Sequence, residues 1–384
     1  MEPAGVADTF LHPIYMLLKI IGVLYVMHLF LQQKIHWNIL IKIIALWHCI
    51  IFLSSFLNPK GLPLEGLQRL VFSVTPVILI NEIMRIHSSF FIKCIAYYYT
   101  ILLGLNLILG SDTGEQYSAN QILLDETQSG TFFLGIRTIV ANFSIYALGI
   151  GAIHYFNSPK KNYKPILLIF IIVISFAIWQ WISSILLIIP LFILLFLYKD
   201  KITIKHSWIL FGITIMGIIG ITIFQIQNIF SWIITDILHE DLTLNGRSYI
   251  WKGAIVEIMK SPWIGYGMVE NRSFNVWQLF DNHRNNTWAH STYLQTTLES
   301  GILGLICYLG IYLVTFLKLD KYFWHKDYTL IVFLILISMI QAIPEVSAEG
   351  FSFLAFMCIA YNINHIKNKA KRKCIPKQYL SRRI

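Results

Sequence analysis

Residues 166–198 read ILLIFIIVISFAIWQWISSILLIIPLFILLFLY and contain no charged side chain. As a helix at about 1.5 Å per residue, this block is roughly 50 Å long. The hydrocarbon core of a bilayer is about 30 Å thick, so the block is too long for one crossing and short for two. A tight turn at WQWISS resolves the conflict by giving two short helices. Comparable apolar blocks recur along the chain, whose 384 residues are 56% hydrophobic and 13% charged, with a mean hydropathy of +0.64. Lipid offers no partner for backbone polar groups, and no alternating barrel pattern is present, so helices are expected. The expected fold is all-α: a polytopic transmembrane helical bundle forming a single integral membrane domain over 1–384.

Eleven spans are expected: 14–31, 39–57, 67–84, 90–110, 132–156, 166–181, 183–198, 207–230, 293–317, 328–343 and 349–366. Loop charge gives their orientation. With the basic tail 367–384 in the cytoplasm, QQKIHWN, RIHSS, NSPKKNYKP, KDKITIKH and KLDKYFWHKD also fall inside. The acidic loop around SDTGEQYSANQILLDETQSG then falls outside, which obeys the positive-inside rule. The N-terminus and the long segment 231–292 are therefore expected outside. The net charge of +10 comes from these short loops and the tail, which points to membrane lipids as partners and away from nucleic acid. The five cysteines lie in apolar segments or in the tail and suggest neither a disulfide framework nor a metal cluster. No cleavable signal peptide is expected.

Within 231–292, NGRSYIWKGAIVEIMKSP places Ile250, Trp251, Ala254, Ile255, Ile258 and Met259 on one helical face. Asn245 is the expected N-cap and Pro262 the stop signal. An amphipathic helix against the membrane or the bundle follows, and WIGYG after it reads as a turn.

Arginines at the outer surface are candidate anion ligands. Arg137 lies near the outer end of the fifth span, where it can bind an anion, snorkel to headgroups or pair with Glu345 or Glu349. Arg247 opens the amphipathic helix. A cation there opposes the helix dipole unless an anionic ligand reverses the sign, and a helix N-terminus plus a guanidinium makes a phosphate site. Arg272 and Arg284 share the loop, either as ligands or as solvated surface. His290, at the mouth of the ninth span, is a candidate general base or a capping residue. A helix starting near Thr287 or Ser291 would bring His290, Tyr293 and Thr297 close to one face. Glu299 lies two turns deeper and needs a partner. Ser300, Gly301 and Gly304 have the spacing of close helix packing. The chain lacks a P-loop, a dinucleotide fingerprint, HExxH and an outer Asp-x-Asp pair.

The stretch NGRSYIWKGAIVEIMKSPWIGYGM followed by AHSTYLQTTLESGILGL resembles the signature region of the bacterial O-antigen polymerase and O-antigen ligase superfamily. The matching positions are Arg247, Trp251, Pro262, Gly265, Gly267, His290, Tyr293, Leu294, Glu299, Gly301 and Gly304. Ser291 stands where many members have asparagine. WQWISS lacks the arginine that many members carry between the sixth and seventh spans, which leaves Arg137 as the matching intramembrane arginine. The resemblance implies a bacterial cytoplasmic-membrane glycosyltransferase that needs neither metal nor cofactor. Its donor is an undecaprenyl-diphosphate-linked oligosaccharide and its acceptor a second glycan, with a chain-length regulator as a further partner. In that reading Arg137, Arg247 and His290 are catalytic, while Tyr293, Glu299, Trp251, Arg272 and Arg284 bind substrate. The polymer is an O-antigen, capsule or exopolysaccharide. A polymerase extends another lipid-linked repeat unit; the alternative, a ligase, uses lipid A–core or another acceptor. A non-catalytic flippase is disfavoured because no internal repeat and no charged midplane cluster is seen.

Overall fold

The computed structural model describes residues 12–109, 134, 137–157, 163–178, 205–226, 246–270, 273–277, 287–325, 327–344 and 351–366. Its regular elements are helices: α1 (His12–Leu31), α2 (Ile39–Leu57), α3 (Pro63–Leu109), α4 (Arg137–Asn157), α5 (Lys164–Ile178), α6 (Ser207–Thr222), α7 (Arg247–Lys260), α8 (Thr292–Asp320), α9 (Tyr328–Gln341) and α10 (Phe351–Tyr361). A 3-10 turn follows at Ile363–His365. Among the described residues there is no strand, only an isolated bridge between Gly61 and Val269.

The all-helical class follows from the sequence, and several helices begin at the expected residue. Asn38 shows why α2 starts at Ile39: its side-chain oxygen accepts the Ile41 N–H at 3.0 Å and caps the first turn. Among the described residues, four helices are long and apolar enough to cross a membrane: α1, α2, α3 and α8. Helices α6, α9 and α10 have 16, 14 and 11 residues, roughly 24, 21 and 17 Å, short of a full crossing. The described helices fall at many of the expected positions, but they do not establish the expected eleven spans. The span at 183–198 and the WQWISS turn lie outside the described residues.

Two expected spans, 67–84 and 90–110, are joined as α3. In place of a loop at RIHSS, one residue, His87, leaves the helical region at φ −133°, ψ 45°. The break sits in a polar cluster. The Ser88 hydroxyl donates to the His365 carbonyl at 2.7 Å, and Asn81 accepts from Asn38 at 2.7 Å and from Asn362 at 3.2 Å. These bonds tie α2, α3 and the end of α10 together.

Helix α1 buries no residue, and Leu24, Phe30 and Leu31 are 59%, 60% and 78% exposed. Such a surface suits lipid and is costly in water. The core lies elsewhere, where α8 packs between α2, α6 and α10. Tyr308 of α8 stands 5.4 Å from Trp47, 5.3 Å from Tyr312 and 5.9 Å from Phe353 between ring centroids. Trp47 donates its indole N–H to Ser300 at 3.3 Å, and Gly304 leaves room for the Ser300 side chain, with the Trp47 ring at ordinary contact distance. The close packing expected at Ser300 and Gly304 is therefore present.

Candidate active site

The site is assembled where a loop plugs a broken helix. At Gly301, α8 departs from helical geometry with φ 63° and ψ −168°, a conformation only glycine adopts readily. The break removes intrahelical partners on both sides, and the 262–267 loop replaces them. Tyr266 and Gly267 donate their N–H groups to the carbonyls of Leu298 (2.7 Å) and Glu299 (2.9 Å). In return, the carbonyls of Pro262 and Trp263 accept from Ile302 (2.8 Å) and Leu303 (3.2 Å). The same loop is fixed to the end of α2. Ser54 donates to the Ile264 carbonyl, Asn58 to the Tyr266 carbonyl at 2.8 Å, and Ser55 accepts the Met268 N–H at 2.7 Å. The expected WIGYG turn is real, but its task is to complete α8. Gly301 is a break, not a packing contact.

Helix α7 forms as expected, with a rotated face. Ile250, Trp251, Ala254 and Ile258 are buried, joined by Gly253 and Glu257, whereas Met259 is 72% exposed. It packs on α8, so it belongs to the bundle. Its N-cap is Gly246 at φ 81°, not Asn245, because a left-handed residue is needed there; Asn245 lies outside the described residues. Arg247 is the first helical residue.

His290 precedes α8, which starts at Thr292 after the N-cap Ser291. It therefore does not share a helical face with Tyr293. The backbone at His290 is left-handed, φ 45°. Three contacts hold this turn. The Trp277 ring lies 5.6 Å from the imidazole, the Trp251 indole donates to the His290 carbonyl at 3.4 Å, and the Gln295 side chain accepts the Ala289 N–H at 3.0 Å. Burial, and after it the nearby charge of Arg247, lower the His290 pKa to about 4. The imidazole is neutral at pH 7, the form that accepts a proton. Arg247, the first residue of α7, is the charge behind the second of these causes.

The other expected residues divide. The Tyr293 hydroxyl donates to the Met339 carbonyl at 2.8 Å and its ring packs on Tyr308, so it is an internal residue of the bundle. Trp251 is 1% exposed and holds the His290 turn from behind. Glu299 has the partner it required: Arg69 of α3, 2.9 Å away, with both side chains mostly buried. Its other oxygen accepts from Gln295 at 2.9 Å. Arg69, Glu299, Gln295 and the Ala289 peptide thus form a continuous polar chain ending at His290. Arg137 begins α4, but its side chain, like all of Arg272, Arg284, Glu345 and Glu349, lies outside the described residues.

Three residues of this assembly, Arg69, Gln295 and Trp277, were not singled out from the sequence. Arg69 had a readable signal, since GLQRLVF puts an arginine at the outer end of an expected span, the criterion applied to Arg137. Gln295 and Trp277 had none. A cavity of about 450 Å³ opens beside Arg69, lined also by Glu65, Gln68, Phe72, Ser73 and Phe351.

No curated protein and no solved structure matches the chain. A family model does, described as O-antigen ligase, over residues 165–309. That range holds α7, the loop that plugs α8, the His290 turn and Glu299, while Arg69 lies outside it. The region that carries His290 is thus similar to the O-antigen ligase family, a match that supports the resemblance to the O-antigen polymerase and ligase superfamily.

Proposed function

We propose that this protein is a polysaccharide repeat-unit polymerase of a bacterial cytoplasmic membrane, acting at the outer face. It transfers a glycan from undecaprenyl diphosphate to a hydroxyl of another lipid-linked repeat unit. The observation that supports this reading is the left-handed His290 turn at the mouth of α8, held by Trp277, Trp251 and the Gln295 side chain within the region that matches the O-antigen ligase model. His290 takes the acceptor O–H proton as that oxygen bonds to the donor's anomeric carbon from the face opposite the leaving group. The bond from that carbon to the diphosphate breaks, and its electron pair leaves on the phosphate. Arg247, with Arg137, stabilises the developing charge, while Arg272 and Arg284 bind substrate. The configuration inverts, and this scheme requires no metal. Trp251 and the Glu299 chain hold the His290 turn in position.

Ligation of the finished glycan to lipid A–core or another acceptor is the second reading, favoured by the description of the matched family. A strain lacking the protein separates the two when complemented with wild type, His290→Ala or Arg247→Ala at verified membrane levels. A polymerase gives a glycan ladder with wild type, while both variants leave single repeat units, as expected for a loss of roughly 100-fold or more. Long polymer retained on undecaprenyl diphosphate in the deletion strain identifies a ligase. Full ladders from both variants refute the site.

A further inference from the structure

The cavity beside Arg69 has no role in the reaction as described so far. Its residues Glu65, Gln68, Arg69, Phe72, Ser73 and Pro76 recur at helical spacing along the first turns of α3, so they form one face. Phe351 and Leu354 of α10 and Met268 of the plugging loop close the other side. The volume, about 450 Å³, lies within the ordinary range for small-molecule sites, roughly 300–1,000 Å³. One wall thus offers an amide, a hydroxyl, a carboxylate and a guanidinium, and the other offers two phenyl rings with aliphatic groups.

The charges decide which chemistry fits. Arg69 is the cation of the described walls, and it is matched by Glu299 at 2.9 Å while Glu65 adds a second carboxylate. Two carboxylates against one guanidinium disfavour a diphosphate. They suit a ligand with many hydroxyls, which donate to carboxylates and accept from amide and guanidinium groups. The C–H faces of a sugar ring match the phenyl walls. The far side of Arg69 connects through Glu299 and Gln295 to the peptide preceding His290.

We propose that this cavity is a saccharide subsite, taking an uncharged portion of the acceptor glycan and holding it in register with the His290 turn. This rests on the glycan-transfer reading for the word acceptor, but not for the binding of sugar. The full chain in lipid nanodiscs is titrated by calorimetry with phosphate-free repeat-unit oligosaccharide, released by mild acid from lipid-linked material of a strain lacking the protein. Undecaprenyl phosphate is titrated separately. Gln68→Ala and Ser73→Leu leave the Arg69–Glu299 pair intact; both are expected to weaken oligosaccharide binding at least ten-fold, with undecaprenyl phosphate binding and the thermal melt unchanged. Oligosaccharide binding equal to wild type in both variants overturns the proposal. A selective loss of undecaprenyl phosphate binding also overturns it, in favour of a lipid-phosphate site. If sugar binding is lost as expected but wild type never joins repeat units, the subsite stands and the polymerase reading falls.

Discussion

Gly301→Ala tests whether the broken helix holds the site together. A Cβ at 301 would lie 2.2 Å from the carbonyl carbon and oxygen of Trp263 and 2.4 Å from the Ile264 nitrogen, all backbone atoms. No side-chain rotation relieves that overlap, so the loop must move or α8 must straighten. Forcing a non-glycine residue into φ 63°, ψ −168° costs about 1–3 kcal/mol. Displacing the loop removes up to four backbone bonds, at Tyr266, Gly267, Ile302 and Leu303, each with a net value near 1 kcal/mol. The combined expectation is a loss of roughly 3–6 kcal/mol in loop docking. Gly104→Ala is the control: its Cβ would meet nothing within 4 Å, and alanine in a helix is neutral or favourable by up to about 1 kcal/mol. Hydrogen exchange of the full chain in nanodiscs reads the effect at the four amides. Gly301→Ala should expose them to exchange at least 100-fold faster while Gly104→Ala leaves them protected. Protection of all four in Gly301→Ala at the wild-type level would refute the reasoning.

Two further predictions follow from charge. Glu299→Met leaves the Arg69 guanidinium buried without its carboxylate and should cost about 3–5 kcal/mol, whereas Arg69→Met with Glu299→Met recovers most of it. Thermal melts of the two single variants and the double variant measure this coupling. For His290, the folded pKa of about 4 lies below the ordinary value near 6.5. Stability from the neutral imidazole is therefore complete above about pH 6.5 and lost as pH falls toward 4. The acid limb of kcat/KM for transfer should lie near pH 4, and Arg247→Met should move the His290 titration upward, read by NMR of the imidazole, by removing one of its two causes. A wild-type limb at pH 6.5 would contradict the burial of this group.

Sequence alone determined the helical class, because uncharged apolar blocks admit few other backbones in lipid. It also placed the starts of α2, α6 and α9, α7 with Arg247 in its first turn, and the need of Glu299 for a partner. Each of these depends on local spacing or on the solvation of one side chain. It did not determine that Glu299 meets Arg69, 230 positions away in the chain, because the pairing depends on how α3 lies against α8. Nor did it show that Tyr293 turns its hydroxyl to Met339, since a helical face does not say which neighbour covers it. The apparent packing glycine at 301 is a break because the loop after α7 arrives there to supply the lost hydrogen bonds. That supply is a tertiary event, and it decides how Arg247, Trp277 and the His290 turn converge.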